Sequence, residues 1–489
     1  MHQSSPKIHN AIYRAERSRY YCNNPLVEAM PEFLSEEEFR KCIQNDRSVP
    51  DDLFSLPSID ALDEIDRLKG VFYPLPLTYQ LYEHVYTQLR RGYEFRNPML
   101  AEHRRIMNQL SQELKQSSES ESEGDSEEQT ICPTILVSGE AGAGKSGSIR
   151  RTLRLFRQVI KHSSYHGQIL NSLQVTWLSF DMHASESKKD FAYNFFMALD
   201  KATGLNTGKE FLKSGSTVEQ TRNAIPLAVL KYNIGIIHID EVQFALNRKK
   251  SDKNTPSFPE LESFFNKLGI PLILSTTQDA LNRFEKLPQE SENQQSAGQT
   301  SRRLASVAHI KFRQWTLSDR YTHLFFDSYF PESFFKENAV KNREFLTALM
   351  ILCAGVPDAL SQLSIAFLRN WYKQSRKGSE ADWMKLLNKV YESKMSIWHA
   401  PLSKLRREYK VGNWPASEWE NESAVANLEE TNDVNWEEVN NKHQSFRRKP
   451  RTTKHQHKAA NSVERIDEGK EVIDAESIIM SFGQGECDV

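Results

Sequence analysis

Short, strongly apolar runs alternate along this chain with amphipathic stretches, an order that predicts strands connected by helices. The runs at 134–138, 234–239 and 271–274 are nearly continuous in apolar residues. Strands buried on both faces of a parallel sheet have this pattern. Further strand candidates cover 174–181 and 307–312. The pattern therefore predicts an α/β fold with a parallel sheet.

Apolar residues recur at helical spacing from Thr316 to about residue 400, as in 345–353, which predicts a small helical lid. The segment 354–357 interrupts this pattern, and Pro357 is suited to the first turn of a new helix.

Changes in composition divide the rest of the chain. Residues 116–129 are acidic and low in complexity, so they form a flexible linker or a surface insertion. The polar tail holds a basic cluster at 447–458, which either contacts DNA or a partner or is simply solvated, and an apolar docking segment at 472–482. The expected parts are an N-terminal extension (1–115), the acidic segment (116–129), the α/β core (130–315), the lid (316–400) and the tail (401–489).

The composition limits the possible partners and compartments. With 489 residues, 38% apolar content and a net charge of -2, the chain has no overall attraction for nucleic acid, so DNA contact requires local basic patches. Five scattered cysteines argue against a disulfide framework or a zinc site. No segment resembles a signal peptide or a membrane span, so we expect a cytoplasmic protein without a membrane partner.

The sequence GEAGAGKS at 139–146 follows the first buried run and precedes a helical segment. This context indicates a phosphate-binding loop and therefore a nucleoside triphosphate site. Glycine backbone N–H groups approach the phosphates, the lysine bridges the β- and γ-phosphates, and the serine hydroxyl binds Mg²⁺. The residues concerned are Gly139, Gly142, Gly144, Lys145 and Ser146.

Two adjacent carboxylates, Asp240 and Glu241, end the second apolar run. We expect Asp240 to hold Mg²⁺ through water and Glu241 to activate the attacking water for hydrolysis. His238 lies inside the same run, and we interpret it as a core histidine because no metal-spaced partners accompany it.

Other residues are expected near the nucleotide. Thr276 and Thr277 end the third run at the sheet edge where ligands bind, and Thr277 is our choice for contact with the γ-phosphate or the attacking water. Arg302 and Arg303 precede the strand candidate at 307–312. They are either an arginine finger for a neighbouring subunit's nucleotide or an ordinary solvated pair.

Two basic clusters follow predicted strands and either line a DNA channel or belong to solvated surface. They are Lys188 and Lys189, and Arg248, Lys249 and Lys250.

Four segments, which extend beyond the nucleotide motifs, resemble the TnsC family, the AAA+ regulators of bacterial cut-and-paste transposons. They are NPLVEAMP at 24–31, RGYEFRNP at 91–98, NFFMALD at 194–200 and IDEVQ at 239–243. The resemblance covers about residues 20–375.

The resemblance implies an AAA+ core that binds ATP with Mg²⁺, with Thr277 in the sensor position. It also implies an ATP-dependent regulator that oligomerises as a ring or filament on double-stranded DNA. Such a regulator links a target-selection protein to TnsA/TnsB-type transposase subunits, and the tail after about Gln444 is similar to the part that contacts them. Asp358 lies near the point where many AAA+ lids carry a phosphate-sensing arginine, and the acidic segment has no counterpart.

Two other functions are compatible with the nucleotide motifs. The chain is alternatively a signalling ATPase that switches with its nucleotide and does not assemble on DNA, or a DNA-bound scaffold that binds ATP without hydrolysis. A signalling ATPase usually carries a recognisable effector or repeat domain, and the sequence shows none.

Overall fold

The computed structural model describes residues 7–94, 96–101, 103, 105, 108–109, 112, 132–183, 187–211, 218–246, 269–286, 304–331, 334, 339–375 and 382–414. The strands are β1 Ile8–Asn10, β2 Thr134–Gly139, β3 Val159–Tyr165, β4 Gln168–Val175, β5 Trp177–Asp181, β6 Ile236–Asp240, β7 Leu272–Thr277 and β8 Ala308–Phe312.

The helices that precede β7 are α1 Pro25–Glu28, α2 Glu36–Ile43, α3 Ser58–Arg67, α4 Pro76–Glu94, α5 Lys145–Leu153, α6 Lys188–Thr203, α7 Thr207–Phe211, α8 Val218–Lys231 and α9 Gln243–Leu246. Those after it are α10 Gln278–Lys286, α11 Arg320–Tyr329, α12 Ala339–Leu352, α13 Pro357–Ser375, α14 Trp383–Lys394 and α15 Ser396–Arg406. A short 3-10 helix, Leu68–Gly70, follows α3.

Five parallel strands form the central sheet in the order β5-β6-β7-β2-β8. Both faces are covered: Ile135 and Val137 of β2 pack into one apolar core, and Leu136 between them packs into the other. The predicted α/β fold with a parallel sheet is confirmed. Because β7 lies between β2 and β6, the ends of all three strands meet at one edge of the sheet.

A smaller sheet of order β1-β3-β4 was not predicted from the sequence. Strands β3 and β4 form a hairpin whose two-residue turn, His166 and Gly167, has positive φ at both positions. The expected single strand at 174–181 is wrong, because β4 ends at Val175 and β5 begins at Trp177, with Thr176 between them. The 174–181 run therefore joins two sheets.

The N-terminal region and the helices after β8 share one apolar core. Leu26, Leu53 and Leu89 belong to the same cluster of buried residues as Leu349 and Leu363. Hydrogen bonds also cross this boundary: Tyr329 donates to the carbonyl of Leu68 at 2.7 Å, and the backbone N–H of Val49 donates to the carbonyl of Ser328 at 2.9 Å. The N-terminal region is therefore packed as an integral layer of the fold.

The expected helices of the lid are present, and α13 begins with Pro357 in its first turn, as predicted. The last lid helix, α15, ends at Arg406, so the proposed lid boundary at residue 400 falls inside it. Among the described residues, no helix has both the length and the apolar character needed to cross a bilayer.

Candidate nucleotide-binding site

The loop between β2 and α5 has the backbone geometry of a phosphate cradle. Gly142 and Gly144 have φ of 80° and 93°, in the left-handed region that residues with a Cβ rarely adopt. Gly144 is the N-cap of α5, so the free N–H groups of the first helical turn point into the loop. This arrangement favours an anion.

Lys145 is buried beneath the loop, where its ammonium donates to the carbonyls of Gly139 at 2.7 Å and Glu140 at 2.9 Å. Burial lowers the pKa of Lys145, while the charges of Asp240, Glu241 and Glu140 oppose that shift. Burial disfavours the charged form of an ammonium that only carbonyls surround. A bound phosphate would stabilise that charged form, because it places a full negative charge beside the ammonium.

Ser146, in the first turn of α5 after β2, lies beside Asp240 at the end of β6, although β2 and β6 are not neighbours in the sheet. The Ser146 hydroxyl donates to Asp240 Oδ2 at 2.7 Å, and the Glu241 N–H donates to Asp240 Oδ1 at 3.0 Å. Burial alone raises the pKa of Asp240, but the His238 imidazole and hydrogen bonds from Ser275, Ser146 and the Glu241 N–H together hold that pKa below its ordinary value. A carboxylate kept ionised beside a hydroxyl provides the oxygen ligands that Mg²⁺ prefers.

Glu241 has φ 59°, an uncommon conformation for a residue with a long side chain. Its side chain is exposed at the sheet edge, and the Gln243 amide nitrogen donates to Glu241 Oε2. Residues held in sparsely populated backbone conformations cluster at functional sites. The role of Glu241 as the base for hydrolysis stays a prediction.

Thr277 ends β7 directly beside Gly139 in the register of β2 and β7. Its hydroxyl accepts from the Ala280 N–H at 3.3 Å, which caps α10. The neighbouring Thr276 is buried and donates to Gln243 Oε1 at 3.4 Å. Because β7 lies between β2 and β6, both threonines lie between the phosphate loop and the carboxylates, and Thr277 is the one next to the loop.

The lid touches the phosphate loop. The Asp358 N–H, in the first turn of α13, donates to the carbonyl of Gly142 at 3.2 Å. A Cβ at Gly142 would lie 3.0 Å from Val356 and 3.2 Å from Trp398. Position 358 thus adjoins the nucleotide loop, and it carries a carboxylate where many lids place an arginine.

Seven basic residues are predicted to lie near the nucleotide or along a DNA channel. Arg302, Arg303, Arg248, Lys249 and Lys250 lie outside the described residues. Lys188 and Lys189 begin α6 behind a capping box formed by Ser187 and Asp190, and the Lys189 side chain is exposed.

Sequence reasoning missed two polar residues of the site, Ser275 and Gln243. Ser275 is fully buried in β7 and its hydroxyl donates to Asp240 Oδ1. Its polarity within an otherwise apolar strand could have indicated this role, because a buried hydroxyl requires a hydrogen-bond partner. The interpretation of His238 as a core residue agrees with its 1% exposure, and burial lowers its pKa to about 4.

The donor set fits a nucleotide with Mg²⁺. The phosphate loop contacts the lid at Gly142, where there is no room for a Cβ. The Ser146 hydroxyl and the Asp240 carboxylate form a hydrogen bond beside this loop. Residues 130–284 match the family model described as AAA domain. This chain contains an AAA domain. The matched range spans the phosphate loop, both carboxylates and Thr277, and the family is one of nucleotide-binding ATPases.

Among curated proteins, none matches this chain. Three solved structures resemble it at low identity. A Walker-type ATPase of Pyrococcus abyssi is 15% identical, with 64% of this chain and 78% of that chain covered and a TM-score of 0.34. The Drosophila ORC bound to DNA is 10% identical, with coverages of 62% and 65% and a TM-score of 0.30. C. elegans PCH-2 is 14% identical, with coverages of 65% and 72% and a TM-score of 0.29. The assignment of the AAA domain rests on the family match and the sheet, since TM-scores this low carry no argument.

Proposed function

We propose that this protein is an ATP-dependent regulator of DNA transposition that oligomerises on double-stranded DNA and couples target selection to a transposase. The observation that carries the ATPase part is the meeting of the phosphate loop, Asp240, Glu241 and Thr277 at one sheet edge. The transposition part is supported by the four TnsC-like segments.

In this proposal, Mg²⁺-bound ATP supplies a γ-phosphoryl group that can be transferred to water. Lys145 would exchange its carbonyl partners for the β- and γ-phosphates, and Ser146 and Asp240 would hold the metal. Glu241 accepts the proton of the attacking water, and Thr277 orients that water or the γ-phosphate. Arg302 or Arg303 neutralises transition-state charge on a neighbouring subunit's nucleotide.

ATP drives assembly if its phosphates contact two subunits, because it then binds the assembled state more tightly. Moving the population from 1:99 to 99:1 needs about 5.5 kcal/mol of differential binding. Two charge-assisted contacts at the interface, each worth roughly 1.5–3 kcal/mol, supply much of that. Hydrolysis then reverses assembly.

An exposed basic face supports contact with DNA phosphates despite the net charge of -2. No Asp or Glu occurs from Ala141 to Phe180. Four basic side chains from α5, β3 and the segment between them are exposed there, and none of them forms an ion pair with a described residue: Arg150, Arg154, Arg157 and Lys161. Lys7, which directly precedes β1 beside β3, is also exposed.

Two of the positive charges of this basic face, Arg157 and Lys7, lie near His9. The pKa of His9 is lowered by partial burial and by the charges of Arg157 and Lys7. A cluster of unpaired cations on one face is the electrostatic footprint of a phosphate backbone. We propose that this basic face contacts DNA in addition to the channel clusters predicted at 188–189 and 248–250.

The test compares two variants with the unaltered protein in ATP hydrolysis and in assembly on duplex DNA with a non-hydrolysable analogue. We expect Lys145→Ala to abolish analogue-dependent assembly, because it removes the main phosphate ligand. Glu241→Gln keeps the site's shape but not its base, so assembly should persist and its reversal with ATP should be blocked.

Identical behaviour of the two variants would refute these roles. An unaltered protein that hydrolyses ATP but stays monomeric with saturating analogue and DNA is a signalling ATPase of the alternative kind. Stable assembly on DNA with no ATP turnover identifies the non-hydrolysing scaffold.

A further inference from the structure

A row of polar side chains crosses the apolar centre of the sheet beneath the metal ligand. Ser179 of β5 pairs in register with His238 of β6, and Asp240 lies two residues further along β6 on the same face. Ser275 lies on the next strand, β7. The Ser179 hydroxyl is 2.8 Å from His238 Nδ1, and His238 Nε2 is 3.0 Å from the Ser275 hydroxyl.

The direction of each hydrogen bond in this row follows from its last member. The Asp240 carboxylate can only accept, so the Ser275 hydroxyl donates to Oδ1. The Ser275 oxygen is then free to accept from a protonated His238 Nε2. In a neutral imidazole this leaves Nδ1 without a proton, and Nδ1 accepts from the Ser179 hydroxyl.

The opposite tautomer has a different consequence for Asp240. With the proton on Nδ1, His238 Nε2 presents a lone pair to Ser275, and the serine hydroxyl must turn to donate to it. Asp240 Oδ1 then loses its side-chain donor and keeps only the Glu241 N–H. The imidazole tautomer and the orientation of Asp240 are therefore coupled.

We propose that Ser179, His238 and Ser275 are positioning residues that hold Asp240 in the orientation required for its metal ion. This inference rests on the proposed function, because it presumes that Asp240 serves Mg²⁺. Ser275 fixes Oδ1, so Oδ2 stays directed at Ser146, where the metal is held. Outer partners of this kind typically change metal affinity by 10–100-fold.

The first test reads the tautomer directly and needs no ligand. Nitrogen-15 NMR of the full chain labelled at histidine distinguishes a protonated Nε2 from a protonated Nδ1. The His238 signals are those that disappear in His238→Gln. We expect the Nε2-protonated form, and an Nδ1-protonated ring would overturn the proposal.

The second test measures Mn²⁺ affinity by electron paramagnetic resonance in the presence of a non-hydrolysable ATP analogue. Ser275→Ala and His238→Leu should each weaken Mn²⁺ binding by about 10–100-fold. His238→Gln should restore most of it, because its amide offers a donor toward Ser275 and an acceptor toward Ser179. The matched control is Ser364→Ala, which removes another fully buried hydroxyl, in α13, and should leave Mn²⁺ affinity unchanged.

The outcomes separate this proposal from the proposed function. Unaltered protein that binds no metal with the analogue refutes the nucleotide site itself. Tight Mn²⁺ binding that Ser275→Ala does not change refutes the positioning chain alone, as does a loss in His238→Leu that His238→Gln does not restore. Should His238→Leu fail to fold, the tautomer and the Ser275→Ala result still decide the proposal.

Discussion

Replacing Gly355 by alanine should strongly destabilise the protein. Gly355 lies in the turn between α12 and α13 with φ 63°. A Cβ built there would be 2.1 Å from the carbonyl oxygen of Trp315, which is backbone and cannot rotate away. The Trp315 N–H also donates to the Gly355 carbonyl at 2.8 Å, so relieving the clash strains this bond.

The expected loss combines three terms. A left-handed backbone costs an L-residue about 1–2 kcal/mol. Forcing a methyl group into a packed site adds about 1–3 kcal/mol. Reduced freedom of the unfolded chain returns about 0.4–1 kcal/mol. The free energy of unfolding should therefore fall by about 3 kcal/mol, the middle of a range of about 1–5 kcal/mol.

Gly167 is a matched control that separates the steric term from the backbone term. Its φ is 77°, but a Cβ there has nothing within 4 Å. Gly167→Ala should therefore cost only about 1 kcal/mol. Urea denaturation of both variants gives the two losses from the shift in midpoint at constant m-value. Equal losses would refute the reasoning, because the predicted difference is the steric clash.

Three further changes are expected to have measurable effects. Gln243→Ala should lower kcat for ATP about tenfold with little change in KM, since it frees the Glu241 side chain from its hydrogen-bond partner. Burial lowers the pKa of His162, so as the pH drops this histidine binds a proton in the unfolded chain before it does so in the folded protein. The free energy of unfolding should therefore fall as the pH drops through and below 6.5. Urea midpoints measured across this pH range should fall less steeply in His162→Gln than in the unaltered protein. Replacing Arg154 and Arg157 by alanine should reduce the slope of log affinity for DNA against log salt by about 2.

Each of these changes has a control or a contrary outcome. Unchanged kcat in Gln243→Ala would show that the amide does not position the base. A variant at His162 with the same pH dependence as the unaltered protein would assign the acid loss to other groups. Lys385→Ala with Lys389→Ala removes two exposed lysines of α14 and should leave the salt slope unchanged.

The sequence was sufficient for the strands that carry the nucleotide site. Strands β2, β6 and β7 are buried on both faces, so their apolar runs stand out, and the motif residues follow at their ends. The helix start at Pro357 was equally readable, because proline at the first turn is a local signal.

The β1-β3-β4 sheet could not be predicted from the sequence, because its pairing is not local. Strand β1 has three residues, two of them exposed, and pairs in parallel with β3 about 150 positions along the chain, Ile8 opposite Val159. No local pattern specifies such a partner. The hydrogen bonds around Asp240 depend likewise on the register of β5, β6 and β7, which brings residues from three distant segments into one row.

The common core of the N-terminal region and the lid determines which fragments of this chain can be studied alone. A fragment beginning at the first matched residue of the AAA domain would lack Leu26, Leu53, Leu89 and their neighbours, which belong to the same apolar core as lid residues such as Leu363. Its lid would expose apolar surface to water, and aggregation would follow. Crystallisation or binding work on the ATPase module therefore has to retain the first hundred residues.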